Sequence, residues 1–298
     1  MSIPHPIPYQ GSKRHLAEQI LACFPVETER LIEPFAGSAA VSLAALARFR
    51  VGHVLLNDIN APLIHLWQKI VYEPETLASE YETLWNLQLG RERTFYDAVR
   101  FRFNRTHRPH YFLYLLARCV KASVRYNADG EFNQSPDNRR KGRQPSAMRR
   151  DLRAAAALLK GRSTWMSGDY RKTLALARPD DLVYLDPPYQ GVCANRDPRY
   201  IEGVAYEALT ASLFDLNRRC IPFILSYDGK TGQKKYGLDL PDDLGLQRIE
   251  LQAGRSSQAT LLGRSDKTVE ALYLSPVLQS RLEAQKSPVQ LLLFGALE

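Results

Sequence analysis

A short motif whose residues could carry out chemistry, Asp186-Pro187-Pro188-Tyr189, directly follows the apolar run at residues 182–185. Two consecutive prolines cannot continue a strand ladder, so the chain must turn where the strand ends. The Asp186 carboxylate and a carbonyl group that precedes a proline of the motif are two acceptors for one amino group. Such a pair draws the nitrogen towards a tetrahedral geometry and localises the lone pair that attacks a methyl group. The alternative is an ordinary Pro-Pro turn with an incidental aspartate.

Tyr189 adds a flat aromatic face to this motif. Enzymes that modify a base take it out of the stack and hold it against aromatic or apolar side chains. Open α/β sheets bind their ligands at the carboxyl ends of the strands, which is where this motif is predicted to lie. The motif therefore indicates chemistry on an amine carried by a base.

A glycine turn and a later acid form a second candidate site. Gly37, in the run Glu-Pro-Phe-Ala-Gly-Ser at residues 33–38, follows a short apolar strand and permits a ligand to approach the backbone. Asp58 closes the next apolar strand 21 residues later, an offset that suits the hydroxyls of a ribose. The lack of a second glycine and of a phosphate-binding loop argues against a dinucleotide, and so against a nicotinamide oxidoreductase. S-adenosyl-L-methionine, which has a ribose but no phosphate, fits better.

A sheet is required to position these motifs. Hydrophobic patterning predicts seven strands, near residues 31–35, 53–58, 163–167, 181–185, 222–227, 246–252 and 269–274. Helical stretches alternate with them, which favours a Rossmann-like α/β fold with a seven-stranded, mostly parallel sheet.

The strand pattern is interrupted between residues 74 and 160, where four helical stretches dominate, at residues 75–89, 95–106, 111–124 and 146–160. We therefore predict a discontinuous catalytic domain at residues 1–72 and 162–276. Residues 73–161 would form an inserted, mainly helical domain. Residues 277–298 would form a C-terminal tail with a short helix, and its apolar end has no assigned role.

The predicted insertion carries the positive charge. Between Arg100 and Lys160 there are 15 lysines and arginines against 4 acids, an excess of 11 that exceeds the net charge of +8 of the whole chain. Concentrated basic charge is typical of a protein that binds a polyanion, and a solvated basic face is the alternative. Residues 125–142 are rich in turn formers and charge, which predicts an exposed loop.

Composition restricts the class of protein. The 298 residues, 45% of them hydrophobic, suit one large domain or a core domain with an insertion. No apolar run approaches the ~20 residues that span a bilayer, and the N-terminal sequence has no signal pattern. We expect a cytoplasmic protein that does not contact a membrane. The 4 cysteines and 6 histidines lack the spacing of metal ligands, so no metal is expected.

Taken in order, the motifs resemble those of the Dam-type, D12 class, alpha group of adenine-specific DNA methyltransferases. They are Tyr9-Gln-Gly-Ser-Lys13, Glu33-Pro-Phe-Ala-Gly37, Asp58-Ile-Asn60, Arg125-Tyr-Asn127 with Gly130-Glu-Phe-Asn133, and Asp186-Pro-Pro-Tyr189. Residues 254–273 also resemble the final loop and strand of that family. The resemblance spans residues 8–276.

The resemblance implies methyl transfer from S-adenosyl-L-methionine to the N6 amine of an adenine flipped out of duplex DNA. Asp186, Pro187, Pro188 and Tyr189 would be its catalytic motif. The implied cofactor site contains Tyr9, Lys13, Glu33, Phe35, Gly37, Asp58, Asp169 and Asp186. Lys13 would pair either with the cofactor or with a neighbouring acid.

The predicted DNA contacts come from the basic block and from the last loop. They are Arg125, Tyr126, Asn127, Asn133, Arg139, Arg140, Lys141 and Arg255. Arg125 is predicted to read a guanine edge, which accepts two hydrogen bonds from an arginine. The run of Arg139, Arg140, Lys141 and Arg143 is predicted to be a mobile phosphate clamp, with a plain solvated loop as the alternative. Double-stranded DNA is the expected partner, and a cognate restriction endonuclease would accompany it in a restriction-modification system.

Three departures from the family pattern are visible. Tyr9 stands where a tryptophan is common, and Ala39 stands where a second glycine is usual, which is tolerable if that residue begins a helix. Residues 134–137, Gln-Ser-Pro-Asp, replace a Pro-Phe-Gly sequence in the DNA-reading region. The target sequence of the family is therefore not transferred to this chain.

Three other functions compete with this hypothesis. A cytosine-N4 methyltransferase more often has Ser-Pro-Pro-Tyr, whereas Asp186 favours adenine. An RNA amino-methyltransferase would share the sheet. A non-catalytic DNA-binding module would not need Lys13, Asp58, Asp186 and Tyr189 together.

Overall fold

The computed structural model describes residues 2–188, 204–231, 234–236, 238–255 and 267–294. The strands are β1 (Arg30–Glu33), β2 (His53–Asp58), β3 (Ser163–Ser167), β4 (Asp181–Leu185), β5 (Phe223–Thr231), β6 (Lys234–Tyr236), β7 (Gln247–Arg255) and β8 (Lys267–Leu274). The helices are α1 (Ala17–Leu21), α2 (Ala40–Ala47), α3 (Ala61–Tyr72), α4 (Pro74–Leu87), α5 (Glu92–Thr106), α6 (Pro109–Arg118), α7 (Pro145–Leu159), α8 (Tyr170–Leu174), α9 (Tyr206–Arg218) and α10 (Pro276–Phe294).

The strands form one mixed sheet in the order β3-β2-β1-β4-β5-β8-β7. The first five strands in this order are parallel, and β8 runs antiparallel to both of its neighbours. The predicted Rossmann-like methyltransferase fold with a mostly parallel sheet is therefore confirmed, and the seven predicted strands form this path. The additional β6, which pairs antiparallel to the end of β5, was not predicted. It has three residues, too few for hydrophobic alternation to indicate a strand.

The order of the strands places a crevice at the centre of the sheet. From β1 the chain builds outwards through β2 to β3, and β4 then starts the other half on the opposite side of β1. Such a reversal leaves the carboxyl ends of the central strands open to a ligand. Glu33 and Asp58 end β1 and β2, and Asp186 follows β4.

Both faces of the sheet are buried, as parallel sheets require. Consecutive residues of β4 contribute to different cores, since Leu182 belongs to the same core as Trp67 of α3 and Val183 to the same core as Leu213 of α9. β1 and β4 pair in parallel, with Ile32 opposite Val183. This register brings the carboxyl ends of the two strands to the same edge, at the crevice.

Helices α4 to α7 lie between α3 and β3 in the chain and pack against the sheet layer. α6 and α7 contact α3, and α7 also contacts α2. Leu113 of α6 and Met148 of α7 belong to the same core as Val54 of β2. The domain boundaries at residues 72 and 161 stay a prediction.

Two predicted helices have different lengths in the structure. The helix predicted at residues 111–124 ends at Arg118, because Lys121 and Ala122 have left-handed φ angles of 58° and 52°. The short C-terminal helix is the 19-residue α10. None of the helices in the described ranges is long and apolar enough to cross a membrane. Within those ranges, no three His, Cys, Asp or Glu side chains form a group that could hold a metal ion.

Candidate functional site

A cavity of about 450 Å³ lies at the carboxyl ends of β1, β2 and β4. Its size is within the ~300–1,000 Å³ of sites for small ligands and cofactors. All of the residues predicted for the cofactor line it, namely Tyr9, Lys13, Glu33, Phe35, Gly37, Asp58, Asp169 and Asp186. Pro187 and Pro188 of the catalytic motif line it as well. The structure thus brings together residues that are up to 177 positions apart in the chain, from Tyr9 to Asp186.

The turn after β1 requires a glycine at one position. Gly37 has a left-handed φ of 47°, and a Cβ there would lie 3.2 Å from Cε1 of Tyr9. The Trp67 indole N–H donates to the Gly37 carbonyl at 3.0 Å. This hydrogen bond ties the turn to α3. Ala39 immediately precedes α2 and has a left-handed φ of 47°, a conformation that favours the glycine usual at this position.

Asp58 links this turn to the end of β2. Its Oδ2 accepts the Gly37 N–H at 3.0 Å, and its Oδ1 accepts the Asn60 N–H at 2.9 Å. Burial raises the pKa of this carboxyl, and the two backbone N–H groups partly oppose that effect. Each carboxylate oxygen has a second lone pair. Asp58 therefore has capacity for two hydroxyl donors on the cavity side.

An aromatic pair forms another part of the wall. The rings of Phe35 and Tyr170 lie 5.0 Å apart at 34°, and both residues line the cavity. Asp169 beside them caps α8 by accepting the Arg171 N–H at 2.9 Å, and its carboxylate pairs with the Arg171 guanidinium. These bonds to Arg171 lower the pKa of Asp169. Tyr170 was not predicted, although its position directly after the end of β3 was a signal for it.

Lys13 pairs with two neighbouring acids. Its ammonium nitrogen lies 3.0 Å from Oδ1 of Asp186 and 3.3 Å from Oε2 of Glu270, and its side chain is only 6% exposed. Glu270 on β8 was not predicted. Glu270 is far in sequence from the catalytic motif, and only the position of β8 beside β5 brings it close to Lys13.

Glu33 provides a neutral carboxyl beside this ion pair. It is buried, and its Oε2 accepts the Ser42 N–H at 3.2 Å. Burial raises the pKa of Glu33 to about 8, and the nearby charge of Asp186 acts in the same direction. Glu33 therefore keeps its proton at neutral pH.

Four of the predicted DNA contacts share a small hairpin, residues 125–133, which we call the recognition hairpin. Tyr126 bridges to Phe132, and the Asn133 N–H donates to the Arg125 carbonyl at 3.0 Å. Oδ1 of Asn127 accepts backbone N–H groups from within the turn, at 3.1 and 2.8 Å. Arg125 is half-buried and Asn133 is exposed. The carbonyl side of the Asn127 amide thus serves the turn itself.

The remainder of the predicted loop is held by buried side chains of the helices. The hydroxyl of Tyr96 donates to the Gln134 carbonyl at 2.8 Å, and that of Tyr81 donates to the Arg143 carbonyl at 2.7 Å. Gln88 Nε2 donates to the Lys141 carbonyl at 2.8 Å. These hydrogen bonds anchor the backbone of the predicted loop, and the mobility of its basic run stays a prediction. The anchors are polar side chains of α4, of Gln88 just after it and of α5, and local composition does not reveal them.

Three basic side chains of the predicted clamp are exposed, whereas Arg143 is partly buried, pairs with Asp151 and donates to the His5 carbonyl at 3.0 Å. Arg139 and Arg140 are 74% and 78% exposed and approach Asp137 at 3.5 and 3.6 Å. Lys141 is 61% exposed, and its ammonium nitrogen lies 3.4 Å from Oε1 of Glu92. Pairs as exposed as these contribute little to stability. The charges therefore remain available to a polyanion.

Two predicted site residues are beyond what the structure describes. Tyr189 lies outside the described residues. Arg255 ends β7, and its side chain is outside the described part of the chain. The roles predicted for them remain predictions.

The sequence also matches known proteins. Residues 9–256 match the family model of the D12 class N6 adenine-specific DNA methyltransferases. A DNA N-6-adenine-methyltransferase of Escherichia phage P1 is 34% identical over 190 residues, which cover 61% of this chain and 23% of the phage protein. The retron Ec67 DNA adenine methylase of Escherichia coli is 32% identical, over 61% of this chain and 62% of its own length. The DNA adenine methylase of Serratia marcescens is 31% identical, over 62% of this chain and 67% of its own length. This chain belongs to the D12 class of N6 adenine-specific DNA methyltransferases.

Proposed function

We propose that this protein transfers a methyl group from S-adenosyl-L-methionine to the N6 amine of adenine in duplex DNA. One observation carries the proposal. Asp186, Asp58 and the turn at Gly37 all line the same cavity at the centre of the sheet. Family membership supports the reaction. The chain matches only part of the length of its first two curated relatives, so the activity of the whole protein is proposed here rather than transferred.

The residues of the cavity fit the proposed cofactor. Asp58 can accept hydroxyl groups of a ribose, and the aromatic rings of Phe35 and Tyr170 offer apolar surface for a base. Gly37 leaves room beside Tyr9 that a Cβ would fill. When bound, S-adenosyl-L-methionine supplies an electrophilic methyl group. The described wall has no glycine-rich phosphate cradle, in agreement with a ligand that lacks phosphates.

The residues of this chain then prepare the amine. The Asp186 carboxylate accepts a hydrogen bond from the N6 amino group, and a backbone carbonyl that precedes a proline of the motif accepts the other. The nitrogen lone pair is thereby directed away from the ring, and Asp186 can take the proton that the amine loses when its new bond to carbon forms. Lys13 holds the Asp186 carboxylate in place. Tyr189 is proposed to stack on the flipped base.

The basic block supplies the DNA affinity in this proposal. Exposed Arg139, Arg140 and Lys141 neutralise phosphates, a sequence-independent contribution. The recognition hairpin reads base edges, with Arg125 as the residue suited to guanine. A cognate restriction endonuclease remains a prediction.

The test is methyl transfer from labelled S-adenosyl-L-methionine to DNA that lacks methylation. Nucleoside analysis of the product should show N6-methyladenine, whereas N4-methylcytosine would reject the choice of adenine. Asp186→Ala should abolish transfer and retain part of the cofactor affinity. Asp215→Ala, which removes an acid paired with Arg218 and Arg219 on α9, should stay active. Full activity of Asp186→Ala would reject the mechanism, and label on RNA but not on DNA would reject the substrate.

A further inference from the structure

Residues 122–126 connect the cofactor cavity to the recognition hairpin. Gln10, which lines the cavity, donates its backbone N–H to the Ala122 carbonyl at 3.0 Å. Val124, two residues further on, is buried and lines the same cavity. The chain that enters the hairpin is thus part of the cavity wall.

Tyr126 makes a third connection, at the base of the hairpin. Its hydroxyl donates to Oδ1 of Asn60 at 3.1 Å. Asn60 is 3% exposed and lines the cavity. Its backbone N–H donates to Oδ1 of Asp58 at 2.9 Å. Two hydrogen bonds therefore link the Tyr126 hydroxyl, through the residue between them, to the carboxylate proposed to bind the ribose.

The ring of Tyr126 is fixed in the hairpin. It lies edge-on to Phe132, with ring centroids 6.0 Å apart and planes at 84°. Asn104 holds the Phe132 backbone from both sides, donating to its carbonyl at 3.1 Å and accepting its N–H at 2.9 Å. The position of the Tyr126 hydroxyl and the orientation of the hairpin are thus linked.

The two ends of the Asn60 side-chain amide have different surroundings. Its nitrogen Nδ2 is buried and has no hydrogen-bond partner among the described residues. Because the amide is planar, a bond that fixes Oδ1 on Tyr126 also fixes the direction of Nδ2. The Tyr126 hydroxyl therefore sets the orientation of the whole Asn60 side chain.

We propose that Tyr126 is a positioning residue that couples cofactor binding to DNA binding. Its hydroxyl holds Asn60 and the turn at residues 58–60 in the arrangement that binds the cofactor. Cofactor in the cavity in turn holds the recognition hairpin in the orientation that meets the duplex. Such coupling is reciprocal, because each ligand changes the affinity of the other by the same factor. This inference rests on the proposed function and adds a residue and a form of regulation to it.

The test compares the wild type with Tyr126→Phe, which keeps the ring and loses the hydroxyl. Duplex affinity is measured by fluorescence anisotropy with and without S-adenosylhomocysteine, on a duplex that the wild type methylates. We expect the wild type to bind the duplex more tightly with this ligand. In Tyr126→Phe the ratio of the two affinities should fall about two- to tenfold, as expected for one neutral hydrogen bond. Thermal unfolding of both proteins verifies the fold.

Tyr96→Phe is the matched control. It removes a buried hydroxyl that donates to the Gln134 carbonyl in the same block rather than to a residue of the cavity wall. Its affinity ratio should equal that of the wild type. An unchanged affinity ratio in Tyr126→Phe, or an equal fall of that ratio in Tyr96→Phe, would overturn this inference and leave the proposed function intact. A wild type that neither binds S-adenosylhomocysteine nor methylates DNA would overturn the proposed function, and the inference with it.

Discussion

The ammonium nitrogen of Lys13 lies 3.0 Å from the Asp186 carboxylate, and the lysine side chain is almost completely buried. A buried ammonium requires paired charge, and removal of one partner from such a group is costly. Glu270 supplies the second carboxylate at 3.3 Å. One cation is therefore shared between the proposed catalytic acid and an acid on β8.

This sharing predicts an effect of Glu270→Gln on the chemical step. Without the second carboxylate, the charge of Lys13 acts on Asp186 alone and weakens it as an acceptor for the target amine. We expect kcat to fall roughly tenfold, equivalent to about 1.4 kcal/mol in the barrier. The affinity for S-adenosyl-L-methionine should change little. Single-turnover methyl transfer and calorimetry measure the two quantities separately.

Glu250→Gln is a suitable control for that variant. Glu250 lies on the neighbouring strand β7, is half exposed and pairs with Arg248. It should retain the kcat of the wild type. Equal values of kcat in Glu270→Gln and Glu250→Gln would show that Glu270 does not position Lys13 for catalysis.

Asp58→Ala should weaken the binding of the cofactor rather than the chemistry. A hydrogen bond to a charged group contributes about 1.5–3 kcal/mol, so the affinity should fall about ten- to more than a hundredfold. Asp58→Asn keeps one oxygen acceptor and should lose less. Calorimetry with S-adenosyl-L-methionine tests this order, and an unchanged affinity in Asp58→Ala would contradict the ribose assignment. The Gly37 N–H also loses its partner in that variant, so the fold is checked by thermal unfolding.

Glu33→Gln should change how stability depends on pH. The unfolded chain releases the Glu33 proton near its usual pKa of 4.5, whereas the folded protein keeps it to about 8. The folded state binds more protons across that range, so this group makes the wild type lose stability as the pH rises from about 4.5 to 8. Glutamine cannot titrate and can still accept the Ser42 N–H. The stability of Glu33→Gln relative to the wild type should therefore increase from pH 5 to pH 8.

Denaturant midpoints at several pH values measure this difference. Other groups titrate alike in both proteins and cancel. A constant difference between the two proteins from pH 5 to pH 8 would show that Glu33 is ionised in the folded state.

Arg139 and Arg140 should contribute affinity without sequence discrimination, because both side chains are exposed beside Asp137. Replacement of both by alanine should weaken the binding of target and scrambled duplexes alike. It should also flatten the salt dependence by about one unit for each phosphate that the protein no longer neutralises. Binding isotherms at several salt concentrations measure both effects. Weakening confined to the target duplex would assign these arginines to base reading instead.

Arg125→Ala should instead reduce the discrimination between DNA sequences. It should lose about 1–3 kcal/mol of discrimination between the target and the scrambled duplex, because the arginine is proposed to read a guanine edge. The same isotherms test this variant. Equal weakening of both duplexes would show that Arg125 binds the DNA backbone.

Some of the cofactor site follows from the sequence because it depends on strand ends. The spacing of Gly37 and Asp58 predicted that they would serve one ligand, and a 3.0 Å hydrogen bond joins them. Both residues follow apolar runs whose pairing is fixed by burial on two faces. Parallel strands bring such ends to the same edge, so the cavity could be anticipated.

Contacts that depend on packing at long range could not be anticipated. Glu270 reaches Lys13 because β8 inserts beside β5, an order that no local pattern contains. Tyr81 and Tyr96 have the pattern of ordinary aromatic core residues, yet their hydroxyls hold the carbonyl groups of the basic loop. The sequence shows where the basic charge is concentrated, but only the fold shows which side chains anchor the loop that carries this charge.

The central position of β1 beside β4 has a consequence for how the chain acquires its structure. Arg30 of β1 pairs with Asp181 of β4 through two hydrogen bonds, at 2.9 and 2.6 Å, across a sequence separation of 151 residues. During synthesis, α2 to α7 therefore leave the ribosome before β1 can meet its central partner. Contacts of such long range slow folding and favour partly ordered intermediates. The helices that carry the DNA-binding charge should accordingly become ordered first, and the Asp186 motif should complete the molecule late.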